Sequence, residues 1–335
     1  MPSVSFGSNI KFIDLFAGIG GFHEALASSG ASCVFASEWD QHAAHTYTRN
    51  HGTVPAGDVT KVDATSIPEH NFVCAGFPCQ AFSISGKQLG FDDVRGTLFF
   101  DVARILKAQR PAFALLENVR NFAVHDNGRT LSVVQHTLQD LGYKVSYKVL
   151  NSAYYGSAQK RERIYILAIR ADLNLPDFQW PARKAAPAGP FVKDILLPAS
   201  HPDLASMWLT RPDIQLDAEA IATANNAVAE HPLRVGIVNK GGQGERIYHP
   251  NGKAITLSAY GGGAGAKTGL YFIDGKVRKL HPRECARLLG LPDSFDIHPN
   301  KNQAYKQFGN SVVVPVLRAI LDAMNSQGYF AGLAP

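Results

Sequence analysis

Between residue 11 and about residue 170 the chain alternates short β-rich runs with longer stretches of helical period, and this alternation restricts the fold more than any other feature. Residues 11–16, 33–37, 72–75, 113–117, 144–150 and 163–168 predict strands, and 21–28, 41–50, 98–108 and 130–141 predict helices. Strands that alternate with helices pair in parallel, because each crossover helix carries the chain back across the sheet. The expected fold class is therefore α/β, a doubly wound, mostly parallel sheet. Ligands of such sheets bind at the carboxyl ends of the strands, which directs the search to residues just after each apolar run. Beyond about residue 172 the texture changes. Pro176, Pro181, Pro187, Pro190 and Pro198 break the chain, and residues 231–279 are glycine-rich with short β runs. Helical pattern returns at 282–289 and 313–324. The expected organisation is a catalytic domain of residues 1–180 and 281–335, its C-terminal helix packing back on it, and a smaller β/irregular domain of residues 181–280.

Composition removes several classes. Hydrophobic residues make up 45% and charged residues 18%, so a sizeable core can be buried and disorder is excluded. The longest apolar runs, such as 113–116 and 164–169, fall far short of the ~20 residues of a membrane helix. No basic start followed by an apolar segment marks a secretory signal, so the expected location is cytoplasmic. Cys33, Cys74, Cys79 and Cys285 have neither the density of a disulfide framework nor the spacing of a zinc site. No metal is expected. The formal charge of +5 is mild, yet residues 231–290 hold ten basic side chains against three acidic ones. A polyanionic partner is expected on that segment.

The segment Phe12-Ile13-Asp14-Leu15-Phe16-Ala17-Gly18-Ile19-Gly20-Gly21-Phe22 reads as a strand, a glycine turn and the start of a helix. Gly18, Gly20 and Gly21 allow a tight turn and close approach to a ligand. Glu38 follows the next strand, where a carboxylate accepts from ribose hydroxyls. The third glycine of the dinucleotide pattern is missing, since Phe22, His23 and Glu24 follow Gly21. A nucleoside cofactor without a pyrophosphate fits better. Trp39 offers a flat face to an adenine ring and Asp58 an acceptor for its amine; as bland alternatives, Trp39 is partly exposed core and Asp58 a turn residue.

Gly76-Phe77-Pro78-Cys79-Gln80 follows the strand at 72–75, so Cys79 is presented rigidly to a cleft. A thiolate suits attack on an electron-poor ring carbon. Cys33, Cys74 and Cys285 read as inert buried thiols. Glu117 ends an apolar strand, where a carboxylate is costly unless it is paired or used. Gln159, Arg161 and Arg163 alternate ahead of another apolar strand and are expected on one face, with Lys160 and Glu162 a solvated charge run.

These motifs, followed by Gly309-Asn310-Ser311-Val312, stand in the order found in the DNA cytosine-5 methyltransferases, and the chain resembles that family over nearly its whole length. Gly241–Arg246, Thr256–Gly263 and His281–Arg287 are similar to the bacterial branch that reads GCGC. The resemblance implies a Rossmann-like fold, S-adenosylmethionine as cofactor, and double-stranded DNA as substrate, from which a cytosine is flipped. Cys79 would add to C6 of that cytosine, with Gln80 beside it. Glu117 would hold the N3 and amine edge, Arg163 the ring O2, and Arg161 would support the site. Phe16, Ala17, Gly18, Ile19, Gly20, Gly21, Glu38, Trp39, Asp58, Val59, Pro78, Leu98, Asn310, Ser311 and Val312 would line the cofactor. Ser85, in a glycine-bearing lid, with Gln243, Arg246, Tyr260, Gly261 and Gly262, would meet DNA. Gln243 is the candidate to fill the stack and Arg246 to read guanine, although Gly241–Gly244 alone would pass for a hairpin turn.

The resemblance further implies a monomer in a bacterial restriction-modification system, paired with an endonuclease. Two departures stand out: Ala158 precedes Gln159 where the family commonly has proline, and Leu89 stands where the similar branch has lysine. Competing expectations are a tRNA cytosine-5 methyltransferase with the same chemistry, a nicotinamide-dependent oxidoreductase, and a non-catalytic DNA-binding relative. The oxidoreductase leaves Cys79, Glu117 and Arg163 unexplained, and a non-catalytic relative would need a broken nucleophile motif, whereas Pro78-Cys79 is intact.

Overall fold

The structure, a computed structural model, describes residues 9–78, 97–186 and 189–331. The chain divides into two compact units, Met1–Leu150 with Glu162–Pro181 and Arg318–Pro335, and Asn151–Arg161 with Ala182–Leu317.

The first unit is built from β1 (Lys11–Leu15), α1 (Gly21–Ala27), β2 (Ser32–Ser37), α2 (Gln41–His51), β3 (Phe72–Ala75), α3 (Phe99–Gln109), β4 (Phe113–Val119), α4 (Arg129–Asp140), β5 (Tyr143–Asn151) and β6 (Glu162–Arg170). Its six-stranded sheet has the order β2-β1-β3-β4-β6-β5. β2, β1, β3 and β4 pair in parallel, and β6 runs antiparallel to β4. β3 is buried at every residue and β4 from Phe113 to Asn118, which is why both read as continuous apolar runs. On α3, Val102, Ile105 and Leu106 are fully buried at i, i+3 and i+4. Each contributes on the order of 1.5–3 kcal/mol of burial, and together they hold the helix to the sheet. α2 starts at Asp40, whose side chain accepts from the N–H groups of His42 and Ala43 at 3.0 and 3.1 Å, and stops at Gly52 with φ 72°.

The register places the site. Leu15 pairs with Ser37 on one side and Ala75 on the other, and Ala75 pairs with Leu116. The residues that follow these four therefore lie along one edge: Phe16, Glu38 and Gly76 leave their strands there, and Glu117 stands at the same level within β4. The antiparallel β6 adds Arg163 to that edge, because Val119 pairs with Arg163 and Glu117 with Tyr165.

In the second unit, β7 (Gln215–Leu216), α5 (Ala218–Asn225), β8 (Leu233–Ile237), β9 (Arg246–His249), β10 (Leu270–Ile273) and β11 (Lys276–Arg278) form a five-stranded sheet with one helix, in the order β11-β10-β9-β8-β7. The helices α6 (Pro282–Leu288) and α7 (Lys301–Asn310) follow, and α8 (Val314–Ser326) carries the chain back into the first unit from Arg318. Residues 281–317, expected with the catalytic domain, are thus counted in the second unit. Glu284 of α6 forms a fully buried ion pair with Arg278 of β11 at 2.7 Å, a contact with no signature in periodicity. α5 and α7 are elements the sequence pattern did not disclose. α7 is mostly polar and α5 is capped by Asp217, whose side chain accepts from Ala220 N–H at 2.9 Å.

Candidate active site

The glycine turn leaves β1 through Phe16, which has φ 54°, and Gly18 and Gly20 also lie in the left-handed region, with φ 56° and 86°. Gly20 N–H donates to Ala17 O at 2.8 Å, Ala17 N–H donates to Ser37 O at 3.0 Å, and Gly21 opens α1. Ile19 is buried beneath the turn. Gly18 N–H donates to Glu38 Oε2 at 2.8 Å, and Asp40 N–H donates to Glu38 Oε1 at the same distance. Burial raises the Glu38 carboxyl above its ordinary range, and these N–H donors only partly offset that. Trp39 beside it is 79% exposed, so it is a presented aromatic face and not partly exposed core. Asp58 accepts from Thr60 N–H and from its hydroxyl at 3.0 and 2.9 Å, which holds its carboxyl below the usual range. Asp58 is thus a turn cap with an oxygen left over, Val59 is buried behind it, and Leu98 stands half-buried at the start of α3.

On the chemical side, Phe77 is buried and Pro78 exposed at the end of the described strand-exit segment. Asn118 Nδ2 donates to Phe77 O at 2.9 Å and so fixes the backbone that leads to residue 79. Cys79, Gln80, Ser85 and Leu89 lie outside the described residues. Glu117 is paired, with Oε1 3.0 Å from Arg163 Nε, and Arg163 Nη1 donates to Glu162 O at 2.8 Å. Both side chains are largely buried, at 10% and 15% exposure, in a position where neither charge would be tolerated alone. Glu162 in turn meets Arg120 at 2.6 Å, a half-exposed pair.

The expected common face of Gln159, Arg161 and Arg163 is corrected by the structure. β6 begins at Glu162, so only Arg163 sits on it. Gln159 bridges Ala254, and Arg161 is buried in the second unit, donating to Leu257 O, Gly309 O and Ser311 O at 3.0, 2.9 and 2.7 Å. Arg161 therefore organises backbone around Asn310, Ser311 and Val312. Asn310 ends α7 exposed, while Ser311 and Val312 are buried.

The second unit also brings its own candidate residues together. Gln243 lies exposed in a 3-10 turn closed by Glu245, which accepts from Gly242 N–H at 2.9 Å, and Arg246 follows at the start of β9. Gly265 N–H donates to Gly244 O at 2.7 Å, and a Cβ on Gly244 would overlap Gly262 O. This places Gly262 against the Gln243 turn, with the exposed Tyr260 and Gly261 just ahead of it in the chain. The basic segment is thinner than its count suggests, because two of its ten bases are buried. Lys253 Nζ donates to Ser157 O and Pro190 O at 3.2 and 2.9 Å, and Arg278 is held by Glu284.

Sequence reasoning missed a polar cluster under the glycine turn. Asp14 on β1 is fully buried and faces the start of α1, and burial holds its carboxyl well above the usual range. His23 Nδ1 is 2.7 Å from Tyr47 Oη, and His23 stacks on His51 with ring centroids 4.1 Å apart. Burial pushes the His23 imidazole down to about 3 and lowers His51 as well. A histidine lowered in the fold destabilises it progressively as pH falls below the unfolded value near 6.5, because only the unfolded chain then gains the proton. Asp14, Glu38 and Glu24 titrate with the opposite sign. The His23 contribution therefore shows as a difference. His23→Gln should gain about 2 kcal/mol relative to wild type between pH 7.5 and pH 5, measured by urea unfolding at both. Parallel pH curves would exclude the assignment.

The strand order, the antiparallel β6 and the edge carrying a glycine turn, a carboxylate after β2 and a paired Glu–Arg define a methyltransferase-type α/β enzyme. Residues 10–326 match the C-5 cytosine-specific DNA methylase family, and the chain belongs to that family. It is a DNA cytosine-5 methyltransferase. The chain is 55% identical to the type II methyltransferase M.HhaI of Haemophilus parahaemolyticus, over 93% of both chains. It is 40% identical to M.DsaV of Dactylococcopsis salina, over 95% of this chain and 86% of that one. Among solved structures, the S. pombe Dnmt2 methyltransferase superposes with a TM-score of 0.68 at 19% identity, covering 95% of this chain and 99% of that one, which shows the shared fold. Among the described residues no helix is long and apolar enough to cross a membrane.

Proposed function

We propose that this enzyme flips a cytosine out of duplex DNA and methylates it at C5 through a covalent bond from Cys79 to C6, with S-adenosylmethionine as the methyl donor and GCGC as the site. The observation that carries the reading is the Glu117–Arg163 pair on the sheet edge shared with the glycine turn and with the segment leading to Cys79. The glycine turn, the inward-held Glu38 and the exposed Trp39 suit an adenosine moiety: backbone close to the ligand, a carboxylate for the ribose hydroxyls, a flat face for the base. Asp58 would accept from the adenine amine and Pro78 and Leu98 would line the donor, while Asn310, Ser311 and Val312 are proposed as cofactor residues on their motif alone. When bound, S-adenosylmethionine supplies a methyl group activated by sulfonium.

The Cys79 thiolate adds to C6 and shifts the ring electrons toward C5, while Glu117 holds the N3 edge and stabilises the protonated ring. Arg163 fixes O2 and keeps Glu117 oriented. C5 would take the methyl group and leave the donor as its thioether, S-adenosylhomocysteine; loss of the C5 proton to water with cleavage of the C6–Sγ bond would then restore the C5–C6 double bond, return Cys79 as thiolate and release 5-methylcytosine. The target atom is unreachable inside a duplex, so the base must leave the stack. Gln243 would fill the vacated place and Arg246 would read guanine, helped by the Tyr260–Gly262 segment and, from the lid, Ser85.

We assign residues 181–280 to target recognition. The type II designation of M.HhaI supports a restriction-modification setting; within that reading we propose a monomeric enzyme of the bacterial cytoplasm that works beside a partner endonuclease. The test is expression in a methylation-free bacterial host followed by bisulfite sequencing. The expected result is 5-methylcytosine confined to GCGC. Methylation at another site overturns the target assignment alone, and methylation of tRNA without DNA overturns the substrate.

A further inference from the structure

The glycine turn is fastened from two sides, and only one of them uses a residue of the expected cofactor set. From the sheet edge, Glu38 accepts from Gly18 N–H. From below, the imidazole of His51 stands against the turn, its Nε2 3.2 Å from the carbonyl oxygen of Ile19. A Cβ placed on Gly20 would overlap the His51 ring, so ring and turn are in van der Waals contact where the backbone reverses.

His51 is itself held. It stacks on His23 at 4.1 Å with an interplanar angle of 19°, and the edge of Tyr47 meets both rings, at 4.7 Å from His51 and 5.4 Å from His23. Tyr47 Oη is tied to His23 Nδ1 at 2.7 Å. His51 is the last residue of α2, and Tyr47 lies one turn earlier on the same face. The three rings thus join α1, which the turn leads into, to α2. Because Ile19 O receives the imidazole N–H while Gly20 N–H donates to Ala17 O at 2.8 Å, the Ile19–Gly20 peptide is held at both of its polar ends.

We infer that His51 is a positioning residue for the cofactor: its ring is the wedge that keeps the Gly18–Gly20 backbone in the shape that receives S-adenosylmethionine. The inference rests on the proposed cofactor reading. A turn already fixed in its binding shape loses little freedom when ligand arrives, so a wedge buried beneath it acts on affinity without touching the ligand. Without the ring, Gly18 and Gly20 are free to explore the many conformations open to glycine, and binding must reorder them.

The test is equilibrium titration calorimetry with S-adenosylhomocysteine on wild type, His51→Ala, His51→Phe and Gly20→Ala. His51→Ala should raise Kd at least tenfold, and KM for S-adenosylmethionine by a similar factor, while kcat moves far less. His51→Phe, which keeps a ring of similar shape in the stack, should bind within about threefold of wild type. Gly20→Ala, whose new Cβ would overlap the wedge and whose backbone at φ 86° strains any side chain, should also lose at least tenfold, and should lose distinctly less when introduced into His51→Ala, where only the backbone strain remains. Wild-type affinity in His51→Ala, or equal weakness in the alanine and phenylalanine variants, overturns the inference while leaving the cofactor reading in place. Should His51→Ala not fold, His51→Leu decides, since it fills part of the space without the flat ring: a Kd unchanged from wild type overturns the wedge. Failure of the wild-type enzyme itself to bind S-adenosylhomocysteine overturns the cofactor reading and the inference together.

Discussion

Cys79→Ala should lower methyl transfer to duplex DNA by about 10^4-fold or more and abolish the covalent adduct with a 5-fluorocytosine duplex, because the proposed mechanism takes the electron pair for C6 from the Cys79 thiolate. The thiols Cys74 and Cys285 are fully buried, and burial raises both well above the ordinary range, so neither forms a thiolate to substitute. Burial and the nearby Asp14 carboxyl push Cys33 up to about 11, which removes it as well. Glu117→Gln makes a telling contrast. The amide keeps the shape of the carboxyl but cannot stabilise a protonated ring, and it leaves Arg163 facing a neutral partner at the 3.0 Å contact. Methyl transfer should fall by about 10^2–10^4-fold while the 5-fluorocytosine adduct still forms slowly. Denaturing gels of enzyme incubated with fluorinated duplex and cofactor separate the two: no shifted band for Cys79→Ala, a delayed one for Glu117→Gln. A shifted band in Cys79→Ala would remove Cys79 from the covalent role.

The parts of the site legible in the sequence are those fixed by local chemistry at strand ends. A parallel sheet aligns the carboxyl ends of its strands, so Gly18, Glu38 and Glu117 could be placed on one edge from the alternation of elements alone, and the register of β1, β2, β3 and β4 puts them there. What escaped depends on distant pairing. A spacing of two puts Arg161 on one strand face with Arg163, yet Arg161 reaches Gly309 O and Ser311 O, 148 and 150 residues away, and nothing in that spacing announces it. Lys253 and Arg278 count as positive charge in sequence, whereas their carbonyl and carboxylate partners take them into the interior. Asn118 is the case where a signal was present: a second polar residue at the end of an apolar strand must find a partner, and it found Phe77 O. His51 offered none, since a histidine at the end of a polar helix looks like ordinary surface until the turn it supports is in view.

The buried pair in the second unit gives the largest expected effect on stability. Arg278 is 1% exposed and Glu284 fully buried, and the two meet through both guanidinium Nη atoms at 2.7 Å. Glu284 also accepts from His281 N–H at 2.8 Å and Leu197 N–H at 2.9 Å, so one carboxylate joins the end of β11, the start of α6 and the segment at 197. Glu284→Ala removes all four bonds and leaves a guanidinium with only Lys279 O, at 3.0 Å, and the face of Trp208. The expected loss is about 3–5 kcal/mol, the usual cost of stranding one member of a buried pair. Arg278→Ala should cost a similar amount, since the carboxylate then lacks its counterion. The double variant Arg278→Met/Glu284→Leu should be less destabilised than either single variant, because no uncompensated charge remains, although the N–H groups of His281 and Leu197 still lose their acceptor. Urea unfolding of the alanine variants measures the size, and the cycle of wild type, Arg278→Met, Glu284→Leu and the double variant measures the coupling. Strictly additive losses would show that the pair acts as two independent packing residues, whereas a positive coupling would identify it as the electrostatic tie that holds α6 to the sheet bearing Arg246.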